Sequence, residues 1–267
     1  MSQACRTGAH MSVAQRPALG WYLTEPMRGV LTFSTLPFAA RWLRRAPRGD
    51  GHGVLVLPGL LADDRSTGTM RAFLAGLGYA VRGWGLGRNL GPTDLVITGM
   101  PRLLKDLATT TGRPVSVIGW SLGGVYAREL ARDHPDLVRQ VITLGSPFGL
   151  VDDRQSRADG AFRRRARRHV DPSRLPTREQ LRQPVPVPST AIYSRSDGIV
   201  DWHACVNDDS VNIDSTATHQ NVEVRCGHLG FGVDASTLWT IADRLAQPPG
   251  RCAPFHPPAG ARAWFPR

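Results

Sequence analysis

The sequence predicts an α/β protein in which a mostly parallel central sheet is flanked by helices. Short aliphatic and β-branched runs alternate along the chain with longer segments of helical periodicity, the pattern of parallel strands connected by helices. The clearest junction is at residues 119–123, where Gly-Trp-Ser-Leu-Gly follows one such run and precedes a helical segment. The length of 267 residues suffices for one large domain of this class with a sizeable core.

The other elements follow from local patterns. Residues 53–57 form a continuous apolar run that Pro58 and Gly59 end, which is typical of a buried parallel strand. The first core helix has Ser66 or Asp64 as a predicted N-cap. Further strands are predicted at residues 79–84, 113–118, 138–144, 190–194 and 221–225, and helices at residues 66–77, 92–110, 124–134 and 234–247.

The motif G-x-S-x-G is centred on Ser121. Its glycines lack Cβ atoms, so strand and helix can approach closely and a strained turn can push the Ser121 hydroxyl out of the sheet. The same turn aims the backbone N–H of Leu122 at that point, at a helix N-terminus where negative charge is favoured. A structural serine is the alternative, since the bare motif is common, but the strand–turn–helix context favours a nucleophile.

Composition limits the classes of function. The net charge is +11 and comes almost entirely from arginine, because Lys105 is the only lysine. This charge fits attraction to anionic lipid, acidic substrate or nucleic acid; an arginine-biased composition spread over a solvated surface is the explanation we prefer. No zinc-finger or RNA-binding pattern supports nucleic acid, and no apolar run is long enough to span a bilayer. The four cysteines show no C-x-x-C spacing, so we expect no metal site.

On the motif and its flanks, the sequence resembles the α/β-hydrolases, in particular bacterial esterases and lipases, over roughly residues 54–247. The resemblance implies an α/β-hydrolase fold, a nucleophile at Ser121, and an oxyanion hole made by the backbone N–H groups of Leu60 and Leu122. The chain departs from many members at Pro58, where they have histidine. This departure leaves the backbone donor in place but changes the local hydrogen bonding, and an ordinary strand-ending turn is the alternative.

The resemblance also implies a triad acid in the loop after the strand at residues 190–194. Asp197 occupies that loop, in an Asp-Gly sequence that is typical of a tight turn. Asp201 is the nearest rival, and turn formation alone is the other explanation for Asp197.

The triad base is expected at His228, which follows the last predicted strand on a glycine-flanked loop. His203 and His219 are the alternatives, but His203 lies close to the acid and His219 falls before the strand. Ser121, Asp197 and His228 then occur in the chain order of this superfamily, each at a strand end.

Four regions are predicted. They are an N-terminal arm (1–50), a hydrolase core (51–149 and 189–247), a small basic cap or lid insertion (150–188) and a C-terminal tail (248–267). The insertion has few apolar residues and the densest charge run of the chain, and a disordered basic loop is the alternative to a cap.

The N-terminal arm mixes aromatic residues with arginines over residues 21–46. It predicts a broken helix, interrupted at Pro37, that packs on the domain. Peripheral contact with an anionic membrane surface is the alternative role.

Cys205 and Cys226 are predicted to form a disulfide, because both flank the loops that carry the acid and the base. Two buried free thiols are the alternative. No signal peptide is visible, which favours a cytoplasmic location, whereas a disulfide would indicate export.

The resemblance implies a serine hydrolase that cleaves carboxylic esters of small molecules or lipids without a metal or organic cofactor. A thioesterase, amidase or phospholipase with the same residues is the alternative within this class. A non-catalytic hydrolase-like binding protein and a basic nucleic-acid binder are the alternatives from other classes.

Overall fold

The structure is a computed structural model that describes residues 15–169, 175–207, 219–250, 253–259, 261 and 264–266. This part of the chain contains six strands and seven α-helices. In chain order they are α1 (Leu19–Leu43), β1 (Gly53–Leu57), α2 (Gly68–Gly76), β2 (Ala80–Gly83), α3 (Asp94–Thr111), β3 (Val115–Trp120), α4 (Leu122–Asp133), β4 (Val138–Leu144), α5 (Asp159–His169), α6 (Arg178–Arg182), β5 (Ser189–Tyr193), β6 (His219–Glu223) and α7 (Ala235–Leu245).

The strands form one sheet in the order β2-β1-β3-β4-β5-β6, and every neighbouring pair is parallel. The prediction of an α/β fold with a mostly parallel sheet is therefore confirmed. The strand order reverses its direction at β1, because β2 lies on one side of β1 and β3 on the other. Open parallel sheets bind ligands beyond the carboxyl ends of their strands at such a reversal.

The sheet is covered on both faces. Val54 and Val56 belong to the core cluster that includes residues of α1, α2 and α7. Leu55 and Leu57 belong to the opposite cluster, with residues of α3 and α4. Because successive side chains of a strand point to opposite faces, a strand covered on both faces is a continuous apolar run.

Helix α1 differs from the predicted broken helix, because it continues for 25 residues through Pro37. A proline inside a helix removes a backbone hydrogen bond and crowds the preceding turn. Packing beyond Pro37 compensates for this cost: Ala39 and Leu43 are buried in the core, and Trp42 stacks on Trp239 of α7 with ring centroids 4.3 Å apart.

Helix α2 begins at Gly68, and neither of the predicted N-caps, Ser66 and Asp64, caps it. The carboxylate of Asp64 accepts hydrogen bonds from the backbone N–H groups of Trp84 (3.0 Å) and Gly85 (2.9 Å). It therefore ties the loop after β1 to the end of β2.

The segment over residues 150–188 is helical where the structure describes it. Its charge run lies in α5, and Phe162 and Leu181 pack against the core cluster of α3 and α4. Arg163 and Arg178 both form ion pairs with Asp153. A role as a cap stays a prediction.

Within the described residues, no helix combines the length and the hydropathy needed to cross a membrane.

Candidate active site

Ser121 occupies a strained turn between β3 and α4. Its φ of 54° and ψ of −121° lie outside the conformations that most residues adopt. Two close approaches explain the flanking glycines. A Cβ on Gly119 would lie 2.2 Å from the carbonyl oxygen of Gly123, and a Cβ on Gly123 would lie 2.4 Å from that of Leu57. The glycines are therefore required, as predicted, because the backbones of α4 and β1 lie too close to positions 119 and 123 to admit a side chain.

The backbone N–H of Ser121 donates to the carbonyl oxygen of Leu144 at the end of β4 (2.8 Å). Gly145, the next residue, has a φ of 53°, and a Cβ there would lie 3.0 Å from Asp197 Oδ2 and 3.2 Å from His228 Nδ1. Only glycine suits both this conformation and this space. The same short stretch therefore supports Ser121 and leaves room for Asp197 and His228.

Asp197 and His228 are in direct contact and both are buried. Asp197 Oδ2 lies 2.6 Å from His228 Nδ1. The other oxygen, Oδ1, accepts the backbone N–H groups of Ile199 and Val200, both at 2.8 Å. The carboxylate is thus held from one side by its own turn and presents its free oxygen to the imidazole.

Two opposing effects act on the pKa of His228. Burial disfavours the charged imidazolium and would lower this pKa, but the charge and hydrogen bond of Asp197 and the charge of Glu25 outweigh burial. The net result is a pKa above the ordinary value of 6.5. With Nδ1 directed at Asp197, Nε2 is the nitrogen left to exchange a proton with a substrate or a hydroxyl group.

Ser121 Oγ and His228 are not hydrogen-bonded to each other in the described structure. They are connected through Trp120, whose indole Nε1 donates to the carbonyl oxygen of His228 (3.1 Å). Contacts between a nucleophile and its base are often long without substrate. The structure brings His228 and Asp197 into contact, and Trp120 connects His228 to the turn of Ser121.

The rival residues form a different pair. Asp201 Oδ1 lies 2.8 Å from His203 Nδ1, and its Oδ2 accepts a hydrogen bond from the Gln155 side chain at 3.0 Å. His203 stacks on Trp202. His219 is the first residue of β6 rather than preceding it, and its buried ring nitrogens have no hydrogen-bond partner among the residues that the structure describes.

The expected oxyanion donors lie beside the serine. Leu60 and Leu122 line the same cavity as Ser121, and neither backbone N–H donates to another described residue. Leu61 has a φ of 65°, so the loop that carries Leu60 is itself strained. Asn89 is fully buried beneath this loop.

Asn89 is hydrogen-bonded to both ends of the turn that begins at Pro58. Its Nδ2 donates to the Pro58 carbonyl oxygen (2.9 Å), and its backbone carbonyl accepts the N–H of Leu61 (2.7 Å). In the sequence, Asn89 stands in a glycine-rich stretch, with glycines at positions 85, 87 and 91. The signal that could have indicated Asn89 is its side chain, which can both donate and accept a hydrogen bond within such a loop.

A cavity of about 440 Å³ opens next to Ser121. Its wall is mostly apolar and combines side chains of α3 and α4 with those of the segment over residues 150–188. Representative members are Met100, Val125, Leu150, Phe162 and Leu181.

A second serine–histidine–aspartate contact lies elsewhere in the sheet. His52 Nε2 is 2.8 Å from Ser116 Oγ, and His52 Nδ1 is 2.5 Å from Asp50 Oδ1. Ser116 and His52 are fully buried, Ser116 lies within β3, and burial lowers the pKa of His52. This serine has no strained turn and no access for a substrate, so its contact with His52 is structural.

The predicted disulfide between Cys205 and Cys226 is wrong, since both residues are buried free cysteines. They pack in separate clusters: Cys205 with Val200 and Ala204, and Cys226 in the core between the sheet and α7. Convergence of the two loops brings Asp197 and His228 together without aligning these two side chains. Cys5 and Cys252 lie outside the described residues.

In the parts of the chain that are described, no cluster of three or more His, Cys, Asp or Glu side chains is arranged to hold a metal ion.

Comparison with known proteins supports the fold. A family described as having the alpha/beta hydrolase fold matches residues 102–183. No curated protein matches the sequence significantly.

Solved structures resemble the chain at low sequence identity. Lipase B of Aspergillus fumigatus superposes with a TM-score of 0.57 and 17% identity over 78% of this chain, which spans 58% of that structure's length. One of the metagenome-derived lipolytic enzymes LipS and LipT gives a TM-score of 0.52 and 17% identity, with 74% of this chain and 93% of the other covered. A monoacylglycerol lipase of Paleococcus ferrophilus gives 0.50 and 14%, with 75% and 96% covered. Together with the six-stranded parallel sheet and the serine turn at its switch point, these matches show that the chain has the α/β-hydrolase fold.

Proposed function

We propose that the protein is a serine hydrolase that cleaves carboxylic esters, with Ser121 as nucleophile, His228 as general base and acid, and Asp197 as the residue that orients His228. The single observation that carries this proposal is the buried 2.6 Å contact between Asp197 and His228. It lies at the same sheet edge as the strained turn of Ser121, and the backbone of residues 144 and 145 adjoins all three.

The reaction follows from this arrangement. Ser121 Oγ attacks the ester carbonyl carbon while His228 Nε2 takes the hydroxyl proton, and Asp197 stabilises the imidazolium that forms. The backbone N–H groups of Leu60 and Leu122 hold the tetrahedral oxyanion. Collapse breaks the bond to the alcohol, which leaves with the proton from His228. Water then attacks the acyl-enzyme with the same base, and the acid and free Ser121 are released.

The apolar cavity beside Ser121 supports an ester with a large apolar group. Burial of apolar surface stabilises a bound ligand by about 25 cal/mol per Å² before the costs of binding are subtracted. Phe162 and Leu181 come from the segment over residues 150–188, which supports its role as a cap that shapes the substrate range. The same residues could also cleave thioesters or amides, so the substrate class has to be determined by comparing the rates of hydrolysis of esters, thioesters and amides.

The test is labelling by a fluorophosphonate together with hydrolysis of p-nitrophenyl esters of increasing acyl length. Ser121→Ala is expected to abolish labelling and to reduce kcat by about 10⁶-fold, without unfolding the chain. Ser116→Ala is the matched control, because it removes the other serine that contacts a histidine, and it should keep both activities. A wild-type protein that is folded but neither labels nor turns over any ester would contradict the proposal and favour a binding protein.

We also propose that the outward face of α1 contacts an anionic membrane surface. Leu23, Val30 and Phe38 are 67%, 69% and 88% exposed, at spacings that place them on the solvent side of the helix. Further exposed apolar side chains on α1 are Leu19, Met27, Leu31 and Phe33. Exposed arginines follow at the end of the helix, at positions 41, 44, 45 and 48. Apolar side chains beside arginines suit the interface of a bilayer with anionic headgroups.

Vesicle sedimentation tests this surface. The protein should sediment with vesicles of phosphatidylcholine and phosphatidylglycerol, less with phosphatidylcholine alone, and less at high salt. The triple variant Leu23→Ser, Val30→Ser, Phe38→Ser should lose binding and keep its esterase activity on soluble substrates. Equal binding to both vesicles would overturn the preference for anionic lipid, and sedimentation with neither, or a concentration-dependent dimer that the triple variant abolishes, would overturn membrane contact.

A further inference from the structure

A carboxylate from the N-terminal helix lies between the two loops that carry Asp197 and His228. Glu25 of α1 is only 1% exposed. Its Oε1 accepts the backbone N–H of Gly198 (2.7 Å), from the acid loop, and that of His228 (2.9 Å). Its Oε2 accepts the backbone N–H of Leu229 (3.0 Å). One side chain therefore binds the residue after the acid, the base itself and the residue after the base.

A second connection runs beside the first. Arg28, one turn further along α1, contacts Glu25 (3.4 Å) and donates to Ser196 Oγ (3.0 Å). Ser196 Oγ lies 3.1 Å from the carbonyl oxygen of Cys226, as its donor. The residue before the acid is thus joined to the loop of the base, with Arg28 of α1 supporting the contact.

Each of the two loops has a glycine where α1 approaches it. A Cβ on Gly227 would lie 2.7 Å from Glu25 Oε2, and a Cβ on Gly198 would lie 2.5 Å from the backbone of Trp21. Such distances are shorter than real Cβ contacts. At Gly198 the clash would be with backbone, so only glycine admits α1 this close there, whereas at Gly227 a side chain would displace the carboxylate of Glu25 itself. Both glycines are direct neighbours of residues in the proposed triad.

The energetic logic of the contact is local. A buried carboxylate is costly unless hydrogen bonds and an opposite charge satisfy it, and Glu25 has three N–H donors and Arg28. The backbone N–H groups of the two loops in turn need an acceptor, because a buried donor without a partner is destabilising. Glu25 therefore stabilises one relative arrangement of the two loops above others.

We propose that Glu25 is a positioning residue that sets the relative placement of Asp197 and His228, so that α1 is part of the catalytic apparatus. This role rests on the proposed triad. The negative charge of Glu25 also acts on the imidazole of His228. The charged groups around His228 are Asp197, Glu25 and, behind Glu25, Arg28.

Three substitutions separate geometry from charge. Glu25→Gln keeps the size but loses the charge and one acceptor, so kcat should fall about 10–100-fold with little change in KM, as a small misplacement of a reacting group does. The acid limb of its pH–rate profile should move to lower pH, because a nearby negative charge raises the pKa of His228. Glu25→Asp keeps the charge on a shorter side chain, so its acid limb should stay in place and part of the kcat should return. Glu25→Ala should lose more of both.

The control is Glu223→Gln, which removes the same charge from a residue that pairs with Arg195 near the acid loop. It should change neither the pH profile nor kcat. Hydrogen exchange supplies a readout that needs no substrate: amides of residues 194–201 and 226–231 should exchange faster in Glu25→Gln than in wild type, and at the wild-type rate in Glu223→Gln.

The outcomes are distinct. If wild type neither labels with a fluorophosphonate nor hydrolyses esters, the proposed function fails, while exchange in the two loops still decides whether Glu25 holds them together. If Ser121 labels in wild type and Glu25→Gln shows wild-type kcat, pH profile and loop exchange, the positioning role is overturned and the proposed function stands.

Discussion

The indole Nε1 of Trp120 donates a hydrogen bond of 3.1 Å to the carbonyl oxygen of His228, a residue 108 positions later in the chain. Trp120 immediately precedes the proposed nucleophile, and the bond is buried. The backbone of the base loop is thereby connected to the strand that carries Ser121. This contact fixes the distance between two parts of the site that share no direct hydrogen bond.

Trp120→Phe should lower kcat about 3–10-fold, as a small misplacement of the base does, and reduce the free energy of unfolding by about 1–2 kcal/mol. It keeps an aromatic ring but removes the donor, so the buried carbonyl of His228 loses its partner. Steady-state kinetics and urea unfolding measure the two effects. Trp202→Phe, at a tryptophan that stacks on Tyr193 and His203, is the control with unchanged kcat. Equal kinetics for both variants would contradict the role of Trp120.

Asp197→Asn should reduce kcat by about 10⁴-fold, because an amide neither holds the useful tautomer of His228 nor stabilises its charged form. Asp201→Asn should change kcat by less than about 3-fold, since Asp201 pairs with His203 outside the proposed site. The corresponding His228→Ala and His203→Ala variants should follow the same order. A greater loss in the Asp201 and His203 variants would reassign the acid and the base.

Activity and stability should respond in opposite directions to the protonation of His228. Its pKa in the folded protein is above 6.5, the ordinary value, so kcat/KM should reach half its maximum above pH 6.5 as the neutral base forms. The contribution of His228 to the free energy of unfolding changes in the opposite direction with pH. The charged pair with Asp197 contributes fully below the unfolded pKa, and this contribution is lost as the pH rises through the folded pKa.

The difference in unfolding free energy between wild type and His228→Gln isolates this contribution, since the other titrating groups are common to both proteins. That difference should shrink over the pH interval in which kcat/KM rises. A half-maximal pH below 6.5, or a difference that grows with pH, would contradict the raised pKa.

Phe162→Ala should shift the preference for p-nitrophenyl esters toward longer or bulkier acyl groups, because its side chain lines the cavity beside Ser121. The shift in relative kcat/KM should be about 10-fold, the effect of one or two methylene groups in an apolar pocket. Arg164→Ala, at an exposed position on the same helix, is the control. An unchanged profile in Phe162→Ala would count against a cap over residues 150–188. Point variants are preferable to excision, because Phe162 and Leu181 also pack against the core.

Cys205 and Cys226 should both count as free thiols in protein that was denatured without prior reduction. Burial raises the pKa of each thiol well above its ordinary value, so neither should react with a thiol reagent in the native protein. The double variant Cys5→Ser, Cys252→Ser restricts the count to these two. A peptide map that joins residues 205 and 226 would restore the rejected disulfide.

Local patterns predicted the fold well. The continuous apolar run of β1 and the G-x-S-x-G turn depend on neighbours in sequence, whereas the order of Ser121, Asp197 and His228 was expected from the resemblance to the α/β-hydrolases. The strand and helix boundaries moved by a few residues, as at the start of α2, because the sequence does not say which polar side chain will cap and which will bond elsewhere. The continuity of α1 through Pro37 was missed, since it depends on packing against α7.

By itself, the sequence determined the parallel α/β sheet and the space required around Ser121, because these depend on hydrophobic periodicity and backbone sterics, whereas the candidate acid and base were expected from the resemblance to the α/β-hydrolases. Only the tertiary structure decided which aspartate faces which histidine, that Asn89 supports the loop of Leu60, that Cys205 and Cys226 remain apart, and that Glu25 holds both loops. Those contacts join residues far apart in the chain. Their geometry depends on how whole elements pack, which no local pattern encodes.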